Sequence, residues 1–199
     1  MIRPTSTCLL LLPFLSGCLG VVTERPICKI SVLADVTGLP GPVTLARKTG
    51  DVRGVVEKID KGIYLVREEH PLHNRNENAP HIAVRFCRIG TGIFAEFQHY
   101  NLKTKTLASR SYWPQQVVMQ NQQLRLSLVD TTIEHLDTYQ VPYYLFPRKK
   151  RHQANGFIVA NSDIQIDKHL AMAVAPMESQ PQTIIDLSRR TIFSPMLFD

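Results

Sequence analysis

What most constrains the fold of this chain is the brevity of its apolar runs. From Ile27 onward they come as ICKISVLAD, VTLARKT and VRGVVEKI, each rich in β-branched residues and closed by Gly, Pro or Asp. That composition and punctuation belong to strands. The second half continues in kind with SRSYW, QQVVM and QLRLSLVD, where Leu124, Leu126 and Leu128 alternate with polar partners at a period of two. VPYYLFP (141–147) is aromatic and bracketed by prolines, which suits an edge strand, and GFIVAN and HLAMAVAP read as further short strands. The expected fold is mainly β, a sandwich or a curved antiparallel meander, with α+β as the alternative.

Helix signals are few. Thr131 to Asp137 has room for a turn or two. Near the end, Ser179 stands two residues before Pro181 and QTIIDLSRRTIF follows, so that Ser is placed as an N-cap with Pro in the first turn. Ile184, Leu187 and Thr191 would line one side of the C-terminal helix this predicts.

A short segment recurs. Lys58 to Tyr64 (KIDKGIY) returns thirty positions later as Arg88 to Phe94 (RIGTGIF). In both, three residues ending in Gly separate two apolar runs, the pattern of a hairpin whose last loop residue is left-handed. Gly62 and Gly92 are expected at positive φ. Shared hairpin chemistry accounts for the likeness without a duplicated binding function.

The start of the chain has a different character. Met1 to Thr7 carries one charge, Arg3; Cys8 to Leu15 is apolar without a break; Ser16-Gly17-Cys18 follows. This is the layout of a secretory signal. Leu15-Ser16-Gly17-Cys18 resembles the lipobox of bacterial lipoproteins in all four positions. The resemblance implies that residues 1–17 are removed and that the Cys18 thiol carries a diacylglyceryl group as the first residue of the mature chain. In the Gram-negative members of that class, Asp after the lipidated Cys commonly retains the protein in the inner membrane. Leu19 stands here, so the resemblance points to the outer membrane. Residues 18–26 would then be the lipidated N-terminus and a tether, and 27–199 a single periplasmic domain. A transmembrane helix over Thr5 to Val22 competes, but Pro13 interrupts its hydrogen-bond ladder and Gly17 and Gly20 weaken it. A buried segment of the folded domain is the third reading.

With residues 1–17 gone, 182 of the 199 residues remain, enough for one domain with its own core. Hydrophobic residues at 44% and charged ones at 20% exclude a disordered chain. The net charge of +6, or +5 without Arg3, suits contact with anionic envelope polymers or headgroups and is too generic to imply nucleic acid. Only Cys28 and Cys87 are left as thiols, and in an oxidising compartment two spare thiols pair. Alternation leaves the pairing open. Cys28 would share a strand face with Ile30, Val32 and Ala34, and Cys87 with Ala83, Arg85 and Ile89, one face apolar and the other mixed.

Catalytic signatures are missing: no G-x-S-x-G elbow, no phosphate-binding loop, no Ser-x-x-Lys, no assignable carboxylate pair. His70, His73 and His81 stand in or beside the polar stretch EEHPLHNRNENAPH without metal-ligand spacing, so neither a metal nor a cofactor is expected. One constellation remains. Arg148, Lys149, Lys150 and Arg151 follow Tyr143, Tyr144 and Phe146, a candidate contact for an anionic surface or else a solvated loop. The expectation is an outer-membrane lipoprotein, not an enzyme, acting as a component or accessory of an envelope assembly. Its partners would be the membrane, through its lipid, and another envelope protein or anionic polymer. A hydrolase or a binder of a cell-wall or lipid fragment is the alternative.

Overall fold

The alternation in QLRLSLVD builds the central strand of the molecule. The computed structural model describes residues 19–23, 25–69, 81–108, 112–145, 156–159, 164–177 and 182–194. These are mainly β, with fourteen strands and two short α-helices. The strands are β1 (Leu19–Thr23), β2 (Gly41–Ala46), β3 (Val52–Asp60), β4 (Ile63–Glu68), β5 (His81–Ile89), β6 (Gly92–Asn101), β7 (Thr106–Ala108), β8 (Pro114–Gln120), β9 (Gln123–Thr131), β10 (Tyr143–Leu145), β11 (Gly156–Val159), β12 (Ala175–Pro176), β13 (Thr183–Asp186) and β14 (Thr191–Phe193). Between them stand α1 (Ile133–Thr138) and α2 (Ile164–Ala173).

From β2 to β6 each strand pairs antiparallel with the next, and β8 lies between β6 and β9. β9 also pairs with β13, β13 with β14, and β14 runs parallel to β2. The nine strands β2, β3, β4, β5, β6, β8, β9, β13 and β14 therefore form a closed ring. The sheet is a barrel rather than an open meander or a sandwich. A barrel of about eight strands is just wide enough for side chains to fill. Leu45, Tyr64, Phe86, Leu126, Ile185 and Ile192 are among those that fill this one, with Tyr64 and Phe86 edge to face at 5.8 Å.

β9 outlasts the ring. Its last residues pair with β12 and with the start of β1, and β1 runs parallel to β11, whose other neighbour is β10. The outward side chains Ala83, Cys87, Phe94 and Val129 are covered by residues 27–33 and by the two helices, which makes a second core outside the barrel wall.

Several expectations change, each for a packing reason. Residues 19–23 are a strand and not a tether, because Val21 enters the outer core and the backbone pairs on both edges. ICKISVLAD is not a strand: it crosses the barrel wall instead of running beside it, and keeps only a 3-10 turn at Ile30–Val32. The apolar HLAMAVAP belongs largely to α2, whose buried Asp167, Leu170 and Ala173 recur at helical spacing. The C-terminal helix is in fact the β13–β14 hairpin. Ile185 and Ile192 point into the barrel, and the Asp186 carboxylate ties the turn by accepting from the Ser188 hydroxyl (2.6 Å), the Arg189 N–H (3.0 Å) and the Gln123 amide (3.0 Å). Those bonds, that of Ser188 foremost, hold its pKa down at about 2. The edge position expected for VPYYLFP is kept, since β10 ends the sheet.

The two similar hairpins differ in their turns. Gly62 has φ +62° beside a register shift at Lys58/Asp60, the bulged geometry expected. In the second hairpin the left-handed residue is Gly90, at φ +60°, while Gly92 opens β6 and pairs with Ile89. A third turn, between β8 and β9, puts Asn121 at φ +50° and Gln122 at +62°, the conformation in which Gly is preferred. Gln122→Gly is expected to stabilise the protein by about 0.5–1 kcal/mol, less than the full left-handed penalty because Gly costs more chain entropy. A urea midpoint at or below that of wild type would contradict this.

Candidate functional site: a bridged strap and the two ends of the barrel

Residues 25–36 form a strap over the outside of the barrel. At its start the Ile27 N–H donates to Glu96 Oε1 at 2.8 Å and the Cys28 N–H to Oε2 at 3.4 Å. The Cys28 and Cys87 side chains, both buried, are joined in a disulfide with Cα atoms 5.1 Å apart. Because Cys28 does not sit on a strand, the face-matching objection to this pair disappears. Lys29 pairs with Asp167 of α2 at 3.0 Å. Leu33 bridges to Cys87, and the Ala34 N–H donates to the Phe86 carbonyl at 2.9 Å. Asp35 then accepts from the Gly62 N–H and from Lys58 Nζ, both at 2.8 Å. The Lys58 ammonium holds the Asp35 carboxyl below its ordinary range, and Asp35 raises Lys58 in turn. Last, the Val36 N–H donates to the Tyr64 hydroxyl at 2.7 Å.

Glu96 is the residue that the sequence conceals. Its strand, GIFAEFQHYN, gives a carboxylate among aromatics, and only its parity with Phe94 marks a covered face. Its exposure is 0%. Burial pushes its pKa up to about 7, against the opposing pull of the Ile27 and Cys28 N–H groups and of Arg85. The acid is held under backbone and its chemistry is turned on the fold. Since the folded state binds this proton more tightly than the unfolded one, stability falls as pH rises between about 4.5 and 7, by roughly 3 kcal/mol at most. Urea midpoints at pH 5 and pH 8 should differ in that direction. In Glu96→Gln, which keeps an acceptor for Ile27, the contribution should vanish; an unchanged slope would assign the pH effect elsewhere.

Strand direction sorts the rest of the surface. The turns at 61–62, 90–91, 121–122 and 187–190 lie at one end of the barrel. The turn at 102–105, the close of β9 and the start of α1 lie at the other. The chain enters at this second end, where Leu19 pairs with Thr131 and Gly20 with Asp130. Thr132 caps α1 there, accepting from the His135 N–H at 3.2 Å. The Thr131 hydroxyl donates to the Ala173 carbonyl at 2.7 Å, which draws the end of α2 to the same place. Buried Leu136 and Leu170 turn inward, while Ile133 (45% exposed), Met172 (61%) and, on the 102–105 turn, Leu102 (41%) stand in solvent.

Cys18 and Arg148 to Arg151 lie outside the described residues. The backbone at their borders is placed: Leu19 follows Cys18, while Leu145 and Gly156 flank 146–155 and end beside Phe157 and Gly20 respectively. His70 and His73 also lie outside, and His81 opens β5. Among the described residues no three potential metal ligands cluster, and no helix is long and apolar enough to cross a membrane. An open depression of about 420 Å³ beside β2 is lined by Pro42, Thr44, Arg53, Glu69 and Arg190. Its Arg190 guanidinium is already taken by the carbonyls of Gly38, Leu39, Pro40 and Pro42. No protein-family model, curated protein or solved structure matches the chain.

Proposed function

We propose that this chain is a lipoprotein anchored to the outer membrane through Cys18, and that it acts by contact as a non-catalytic component or accessory of an envelope assembly. The observation that carries the reading is the run Leu15-Ser16-Gly17-Cys18, followed at once by a residue that belongs to the folded domain. The buried Cys28–Cys87 bridge agrees with an oxidising compartment. A barrel interior packed with side chains leaves the outer surface to do the work.

Metabolic labelling with a fatty-acid analogue tests the anchor. Label should enter the wild-type protein and be lost in Cys18→Ala, with the protein left unprocessed or released from the membrane. Undiminished label in the variant would end the proposal. Crosslinking in intact cells followed by isolation of the acylated protein should then recover a defined envelope partner.

A further inference from the structure

We propose that the barrel end formed by the close of β9, the start of α1, the end of α2 and the 102–105 turn is seated on the bilayer, with Leu102, Ile133 and Met172 in the headgroup layer. This rests on the lipid anchor proposed above. The argument is one of missing slack. Leu19, the residue that follows Cys18 in the sequence, is itself paired with Thr131 at the close of β9, and paired strands lie about 5 Å apart. β1 is held on both edges from its first residues, and no flexible stretch between lipid and domain can hold that end away from the membrane.

The surface brought there has the chemistry of an interface. Leu102, Ile133 and Met172 are three of seven large apolar side chains exposed among the described residues; Val118 and Met119, near the opposite end, are exposed too, so the anchor's place and not exposure alone selects this end. Exposed Lys103 and Lys105 follow Leu102 in its turn, and side chains of that length can reach phosphate while their stems cover apolar surface. Glu134 and Asp137, exposed beside Ile133, keep the seat shallow, because carboxylates stay in the hydrated part of the headgroup region. The barrel's opposite end, with the turns at 61–62, 90–91 and 121–122, is then turned away from the membrane towards a partner.

The experiment uses the acylated full-length protein in phospholipid vesicles, with one fluorophore placed through Leu102→Cys, Met172→Cys or, at the far end, Asn121→Cys. Lipids brominated near the headgroup should quench the first two labels several-fold more than the third. Equal quenching at both ends overturns the seating. Labels at 102 and 172 that are shielded from aqueous iodide yet unquenched by brominated lipid overturn it too, and assign that end to a second copy of the chain. Mass spectrometry of the Cys18 peptide from the same sample separates the two readings. With an acyl group and no quenching contrast only the seating falls; with no acyl group both fall.

Discussion

Replacing Cys28 and Cys87 together by Ala lowers the unfolding free energy by about 4 kcal/mol, the chain-entropy value for a loop of this size. With a urea dependence of about 2 kcal/mol per molar, the midpoint falls by roughly 2 M. The bridge ties the strap, which precedes β2, to β5, so the closed loop holds the β2–β4 stretch of the ring. Because both side chains are buried, reductant should act on the wild-type protein only under conditions that open the strap or unfold the barrel. Equal midpoints for wild type and variant would show that the bridge adds nothing.

The second large effect is expected at Gly62. A Cβ there would lie 2.8 Å from the Phe86 carbonyl oxygen and 2.9 Å from both N and O of Ala34. All three are backbone atoms and no side-chain rotation relieves them. The left-handed conformation adds about 1–2 kcal/mol and the overpacking about 1–3 kcal/mol, so Gly62→Val should cost about 3 kcal/mol or more. Gly90→Ala provides the comparison. Its φ is nearly the same, but nothing lies within 4 Å of the added carbon, so only the backbone cost should appear. Similar losses for the two variants would mean that the strap yields at Ala34, and would remove it as a rigid brace.

Those two sites mark what was legible in the sequence and what was not. Hairpin chemistry was readable because it is local. Leu124 and Leu126 lie in the barrel core where alternation puts them, while Leu128 is only half-buried, and Gly62 turns as expected. Gly92 departs from the expected positive φ because a two-residue loop and a three-residue loop share the same glycine spacing. QTIIDLSRRTIF satisfies the helical spacing of Ile184, Leu187 and Thr191 as well as the strand parity of Ile185 and Ile192. What decides between them is the pairing of β13 with β9 and of β14 with β2, which no local window contains. The strap was hidden for the same reason. ICKISVLAD has strand composition, and its hydrogen bonds go instead to Glu96, Phe86 and Gly62, far along the chain. Glu96 itself looks like any surface carboxylate until something is laid over it.

Ring closure has a consequence in time. The seam joins Thr44 to Thr191 and Leu45 to Ile192, residues separated by most of the chain. Contacts of such long sequence separation form slowly, because the intervening chain must lose its freedom before the pairing rewards it. Until residues 183–193 arrive, β2 and the β13-facing side of β9 present unpaired backbone to their surroundings, a template for association with other chains. The last hairpin is thus the step that converts an adhesive half-built sheet into one that no longer offers those edges.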